Sequence, residues 1–317
     1  MLIFGIMLTA FLAIYVTAYI CYRMAFYSLP RKPPEGDRVA TPVGEIYDPF
    51  REKMEKWILE AQAMDREEVS IKSFDGLTLR GWFYEYAPGA PIELMLHGYR
   101  GDSERDLSGG VQRCFACGRS ALVVDQRAAG RSEGSTITMG ILERRDCLSW
   151  VDFMLEKFGP DVKIVLTGIS MGAATVVMAG GEELPKNVVG ILADCGYTSP
   201  KEIMQKVIRE MGLPPKLSFP FVRLGGIIFG HFDPVETSPE EAIRKCRVPV
   251  IFFHGENDDF VPCDMSRRLY DLCPTRKAIM TVPGAGHGLS YALMPKEYRK
   301  FLNDFLGPEL TFQRENQ

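Results

Sequence analysis

The sequence predicts an α/β fold, a mostly parallel, doubly wound sheet with helices on both faces and a helical lid insertion. Three observations carry this. Six short apolar segments recur along the chain, at 92–96 (IELML), 121–125, 163–168, 188–193, 248–253 and 277–282. Between them lie segments with helical spacing, at 103–117, 141–157, 171–182, 264–272 and 291–306. Short apolar strands alternating with helices are the pattern of a parallel sheet buried on both sides. The third observation is a break in that rhythm: residues 198–247 form an insertion containing "MGLPPKLSFPFVRLGGIIFGHF". It follows the C-terminal end of a strand, where such sheets bind ligands.

Residues 1–22 contain no Asp, Glu, Lys or Arg, and about 20 apolar residues suffice to cross a bilayer as a helix. A cleaved signal peptide would have a basic start and a shorter apolar core, so the segment is read as an uncleaved single-pass anchor in the cell membrane. Arg23, Arg31 and Lys32 flank its C-terminal side, which by the positive-inside rule puts the main domain in the cytoplasm. Residues 23–65 comprise a linker and an amphipathic helix. Pro and Gly mark the linker at 30–44, and Ile46, Phe50, Met54, Trp57 and Ile58 recur at helical spacing. A flexible linker implies that removal of residues 1–29 leaves a soluble, active protein. "EVSIKSFDGLTLRGWFYEY" alternates around Asp75-Gly76, a hairpin signal. The main domain is placed at 66–307 and a C-terminal tail at 308–317. The insertion reads either as an extra helical layer or as a lid, and long insertions commonly serve as lids. In the lid reading its apolar residues, Phe219 and Phe229 among them, wall a pocket for an acyl or alkyl chain.

A net charge of −4 with no Lys/Arg block argues against binding nucleic acid by phosphate neutralisation. The eight cysteines are scattered through apolar surroundings. Cys114 and Cys117 form a CxxC with no second pair at zinc-site spacing and read as core residues. With no dinucleotide fingerprint either, no metal or organic cofactor is expected.

The chemistry centres on "VLTGISMGAATVV". Ser170 could cap the following helix, or it could be a nucleophile held on a sharp strand-to-helix turn, with Gly168 and Gly172 permitting close packing. A serine hydroxyl needs a base and a group to orient that base. Of the four histidines, His287 lies in the glycine-rich loop "VPGAGHGLS" after the last strand and is the candidate base. His254 precedes Asp258 in "FFHGENDDFVP" and is read as structural. Asp258 is the candidate orienting acid, with Asp259 and Asp194 as alternatives. His97 in "LMLHGYRGD" follows the first parallel strand and is read as shaping a turn. That turn can aim the Tyr99 N–H at a developing oxyanion together with the Met171 N–H.

Taken together, "SFDGLTLRGWFY", "HGY", "DQRAAGRSEG", "GISMGA", "ADCGY", "HGENDDFVP" and "GAGHG" resemble the α/β-hydrolase superfamily over residues 66–307. Within it they are similar to bacterial serine esterase-like hydrolases and the Bem46-type branch. Ala129 stands where relatives commonly carry a histidine, in a loop that supplies no triad member. The resemblance implies a Ser–Asp–His triad in the chain order of that fold. It also implies hydrolysis of a small-molecule carboxylic ester through an acyl-enzyme. A peptidase or acyltransferase could use the same triad, and an inactive hydrolase fold could act as a binding module.

Overall fold

The computed structural model describes residues 1–28 and 39–310. The chain begins with a long helix, α1 (Leu2–Ala25), and after a 3-10 turn continues through α2 (Arg51–Ala63). The hairpin centred on Asp75-Gly76 is β1 (Glu67–Lys72) and β2 (Thr78–Tyr84). The alternating region then runs β3 (Ile92–Leu96), α3 (Ser103–Ala116), β4 (Ser120–Asp125), α4 (Glu143–Phe158), β5 (Ile164–Ile169), α5 (Met171–Ala179) and β6 (Val188–Asp194). The insertion supplies α6 (Pro200–Glu210), α7 (Pro215–Gly230) and α8 (Pro239–Ile243). The chain closes with β7 (Val250–Gly255), α9 (Cys263–Leu272), β8 (Lys277–Val282), α10 (Ser290–Leu293) and α11 (Pro295–Leu310). The sheet order is β1-β2-β4-β3-β5-β6-β7-β8. Strands β3 to β8 are parallel, and only the β1–β2 and β2–β4 pairings are antiparallel.

Alternation along each strand sorts side chains to two faces. Leu94, Leu166, Ile191 and Phe252 meet Trp150 of α4, Val176 of α5 and Leu269 of α9. Their neighbours Val165, Leu192, Ile251 and Phe253 meet Tyr298, Leu302 and Leu306 of α11. Glu93 breaks the apolar pattern of β3. Fully buried, it accepts hydrogen bonds from Arg113, from Arg119 at 2.7 Å and from Thr167 at 3.0 Å. Burial pushes the Glu93 carboxyl up, but the two guanidinium charges outweigh it and hold the group at about 2.

The C-terminal segment, expected as one helix at 291–306, is two. Pro295 disfavours helical geometry at Met294, and α11 then runs on to Leu310, into the expected tail. Most of the expected linker falls on 29–38, and 311–317 of the tail likewise lie outside the described residues.

The larger departure concerns α1, which is not set apart from the domain. Residues 1–17 are exposed, but from Ala18 onward the helix is built in. Tyr22 and Phe26 are buried among Phe219, Val222 and Phe232 of the insertion. The Tyr22 hydroxyl pairs with Thr136 at 2.8 Å, Ala25 O accepts from the Tyr99 hydroxyl at 2.8 Å, and Phe26 O accepts from Ile137 N at 2.8 Å. Residues 18–27 are thus part of the folded domain, and the expectation that deleting 1–29 leaves an active protein does not fit this packing.

Candidate active site

Ser170 sits between β5 and α5 with φ 56° and ψ −117°, a conformation rarely adopted by a residue with a side chain. Close packing around it enforces the strain. A Cβ on Gly168 would lie 2.1 Å from Gly172 O, and one on Gly172 would lie 2.1 Å from Leu96 O. The strand, the helix and the end of β3 therefore meet backbone to backbone, which glycine alone permits. Ser170 N donates to Asp194 O at 2.8 Å, fixing the turn to the end of β6.

His287 follows β8 and Asp258 follows β7, and the two loops are tied together. Glu256 N donates to Val282 O and Asn257 N to Ala285 O, each at 2.9 Å, and Gly284 N donates to Asn257 Oδ1 at 3.2 Å. His287 Nε2 stands 2.9 Å from Ser170 Oγ, and His287 Nδ1 stands 2.6 Å from Asp258 Oδ2. A carboxylate can only accept, so Nδ1 carries the proton and Nε2 is left to accept from the serine hydroxyl. Phe260 packs edge-on against the imidazole with ring centres 5.1 Å apart.

Asp258 is almost fully buried. Its Oδ1 accepts from the backbone N–H groups of Phe260 at 3.0 Å and Val261 at 2.8 Å. Burial pushes the carboxyl up, but hydrogen bonds from His254 and His287 outweigh it and hold it at about 2. His254, also buried, lies 2.8 Å from Val261 O and 3.2 Å from Asp258 Oδ2 through Nε2, and 2.6 Å from Ser266 Oγ through Nδ1. It braces the turn that presents Asp258. The alternative acids lie elsewhere. Asp194 accepts from the Tyr298 hydroxyl at 3.0 Å, and Asp259 is exposed, with only its carbonyl bonded, to Lys206.

His97 is buried in its turn. Its Nε2 accepts from Gln126 N at 3.0 Å and its Nδ1 donates to Gly98 O at 2.8 Å, so both ring nitrogens are engaged away from the serine. This turn runs beside the elbow, since a Cβ on Gly98 would lie 3.5 Å from Ser170 Cβ. Among the described residues, no group accepts a hydrogen bond from Tyr99 N–H or Met171 N–H. Both amides remain available to an external acceptor. Cys195 lies beside Asp258 and His287, but burial pushes its thiol well up, which keeps it protonated and a poor partner for a cation.

Two cavities meet at Ser170. One of about 460 Å³ opens between residues 42–47 and α3, where Tyr47, Arg105 and Asp106 contribute polar groups. The other, about 230 Å³ and almost wholly apolar, lies under the insertion against Met139, Ile208 and Val222. Phe219 and Phe229 do not line it, contrary to the sequence expectation. Phe219 packs inside the insertion, and Phe229 packs on Tyr15, Tyr19 and Tyr22 of α1. Cys21, Met24 and Ala25 of α1 form part of the wall instead. Sequence reasoning missed them because Cys21 lies in a run without charges that reads as membrane throughout, and Met24 and Ala25 follow Arg23 in the segment read as linker. The recurrence of Ala18, Tyr22 and Phe26 every fourth residue was the available signal of a packed face.

The serine hydrolase (FSH1) family matches residues 143–289, a stretch holding Ser170, Asp258 and His287. The protein YqkD of Bacillus subtilis (strain 168) is 28% identical over 190 residues, covering 60% of this chain and 62% of that protein. The protein bem46 of Schizosaccharomyces pombe is 25% identical over 221 residues, covering 68% of each. Among solved structures, the Pyrococcus furiosus esterase Pf2001 superposes with a TM-score of 0.65 at 18% identity, over 90% of this chain and 99% of that one. At that identity the likeness speaks to the fold.

Proposed function

We propose that this chain, which belongs to the serine hydrolases of the α/β-hydrolase superfamily, cleaves carboxylic esters carrying an acyl or alkyl chain. The observation that carries the proposal is the continuous path from Ser170 Oγ to His287 Nε2 at 2.9 Å and from His287 Nδ1 to Asp258 Oδ2 at 2.6 Å. In this reading Ser170 Oγ attacks the ester carbonyl carbon as His287 takes its proton. Asp258 stays ionised, holds the tautomer and stabilises the imidazolium. The tetrahedral oxyanion is met by the N–H groups of Tyr99 and Met171. His287 returns the proton to the leaving alkoxide as the ester C–O bond breaks. Water then attacks the acyl-serine with the same base, releasing the carboxylic acid and restoring Ser170. The apolar cavity supports assignment of the chain side of the substrate to the region under the insertion.

In the same proposal α1 is a single-pass membrane anchor, supported by its length, its lack of acidic residues and the exposure of residues 1–17. Arg23 in its last turn and Arg31 and Lys32 beyond it support a domain on the cytoplasmic side. The function is tested by p-nitrophenyl butyrate hydrolysis. Ser170→Ala and His287→Ala should each lower kcat by about 10⁴-fold or more. A purified, folded Ser170→Ala protein keeping most of its activity would exclude the assignment.

A further inference from the structure

We infer that the ester is a single-chain fatty-acyl lipid with a polar head, resident in the bilayer, and that its chain enters the apolar cavity from the leaflet at the mouth formed by Met24 of α1 and Met211 and Leu213 ahead of α7. The inference rests on the serine esterase reading and goes beyond it by naming the substrate class and its route. Its starting point is that one helix does two jobs. Residues 1–17 are exposed, and the stretch before Tyr15, which packs on Phe229, is long enough to reach roughly 20 Å from the domain at helical rise. The last turn and a half of the same helix walls the cavity that reaches Ser170. A helix that served only as a tether would have no reason to line the site. Because it does line it, the cavity lies where the chain leaves the membrane.

The contact between α1 and α7 makes this a fixed geometry. A Cβ on Gly225 would lie 2.4 Å from Ala18 O and 3.0 Å from Tyr22 N, so the helices touch at the backbone. Phe229 sits among the Tyr15, Tyr19 and Tyr22 rings, with its ring centre 5.0 to 5.9 Å from theirs. The outer face of α7 continues the apolar surface of α1. Leu217 is 70% exposed, Ile227 43% and Ile228 37%, and Met211 and Leu213 are exposed where the cavity opens. Over residues 211–230 the only charges are Lys216 and Arg223, both basic and both exposed. Arg223, midway along α7, is paired with Asp233 at 2.7 Å, and Lys216 stands at the start of the helix beside Leu217. An exposed apolar stripe with a lysine at its edge is suited to lie in a lipid interface.

The two cavities then divide an amphipathic ester at its scissile bond. The apolar one takes the acyl chain, and the one with Arg105, Asp106 and Tyr47 takes the polar alcohol. Hydrolysis yields a fatty acid, which can return along α1 to the leaflet, and a polar alcohol, which leaves through the other mouth.

The test uses full-length protein in phosphatidylcholine vesicles containing 1-monopalmitoylglycerol, with soluble p-nitrophenyl acetate as a second substrate. The variant is Leu217→Ser with Ile227→Ser, two exposed positions that line neither cavity. The vesicle-borne ester should be hydrolysed at least about tenfold more slowly, as each lost apolar contact with the bilayer weakens docking several-fold. Acetate hydrolysis should stay within about twofold of the unaltered protein. In a parallel arm, Leu217→Trp and Ile227→Trp should be quenched by doxyl-labelled lipid. Equal rates on the vesicle ester, or no quenching, would overturn the inference, as would a stable dimer in detergent that buries α7. Loss of neither substrate on Ser170→Ala would instead overturn the esterase reading itself.

Discussion

Gly172→Ala is the substitution that the site geometry constrains most tightly. The added methyl would lie 2.1 Å from Leu96 O, 2.6 Å from Leu96 C and 2.8 Å from His97 O. All three are backbone atoms, so no rotamer change relieves the clash. The N-terminal turn of α5 and the end of β3 must separate by roughly 1 Å, and a displacement of that size near reacting groups can cost about 10²-fold. The moving parts are those that carry the Met171 and Tyr99 N–H groups. Loss of one such donor lowers kcat by about 10²–10³-fold in serine hydrolases. The expected outcome is a kcat on p-nitrophenyl butyrate lower by about 10²-fold, with KM changed only a few-fold because the Met139, Ile208 and Val222 side of the apolar cavity lies away from the clash. Overpacking should also cost about 1–3 kcal/mol in stability, read as a lower Tm. A variant with a lowered Tm but unaltered kcat would refute the assignment of this junction to oxyanion stabilisation.

Other consequences follow from the packing. Removing residues 1–16 should give a soluble protein that still hydrolyses p-nitrophenyl acetate, whereas removing 1–28 takes away Tyr22, Phe26 and one cavity wall and should abolish stable folding; size-exclusion chromatography and activity together distinguish the two. Val222→Phe, which fills the apolar cavity, should reduce hydrolysis of p-nitrophenyl octanoate by about tenfold while sparing acetate, and an unchanged chain-length profile would place the acyl chain elsewhere. Glu93→Gln leaves Arg113 and Arg119 buried without their counter-charge and should cost about 3–5 kcal/mol in urea unfolding. Because folding depresses the Glu93 carboxyl from 4.5 to about 2, its contribution is complete above about pH 4.5. That contribution is lost as pH falls through about 2, so the cost of Glu93→Gln should shrink over that acid range.

The parts of this molecule that were legible in the sequence are those with a local signature. Strands such as 92–96 announce themselves by apolar runs, and the elbow by two glycines flanking a serine after such a run. The chain order Ser, Asp, His points to a carboxylate in the loop after the 248–253 strand, with Asp258 as the candidate and Asp259 and Asp194 as alternatives, and in the structure Asp258 is the carboxylate beside His287. What was not legible depends on contacts distant in sequence. Glu93 sits inside an apolar pentapeptide, and only the arrival of Arg113 and Arg119 makes a buried carboxylate tolerable there. Residues 18–22 of α1 read as lipid-facing because hydropathy does not distinguish burial in a bilayer from burial under α7. The insertion was legible as helical and apolar, but Phe219 and Phe229 were indistinguishable from Ile208 and Val222 as cavity-lining residues. A helix face is chosen by its neighbours, here α1 and the α5 N-terminus.

The central claim is that Ser170 is a nucleophile activated by His287, whose ring is oriented by Asp258. Treating the protein with a fluorophosphonate and locating the adduct by peptide mass spectrometry tests it most directly. The account predicts one adduct, on Ser170, formed far more slowly in Asp258→Asn, where the wrong histidine tautomer is favoured at a cost of about 10⁴-fold in a comparable triad. An adduct on another residue, or labelling of Ser170 at an unaltered rate in Asp258→Asn, would contradict it.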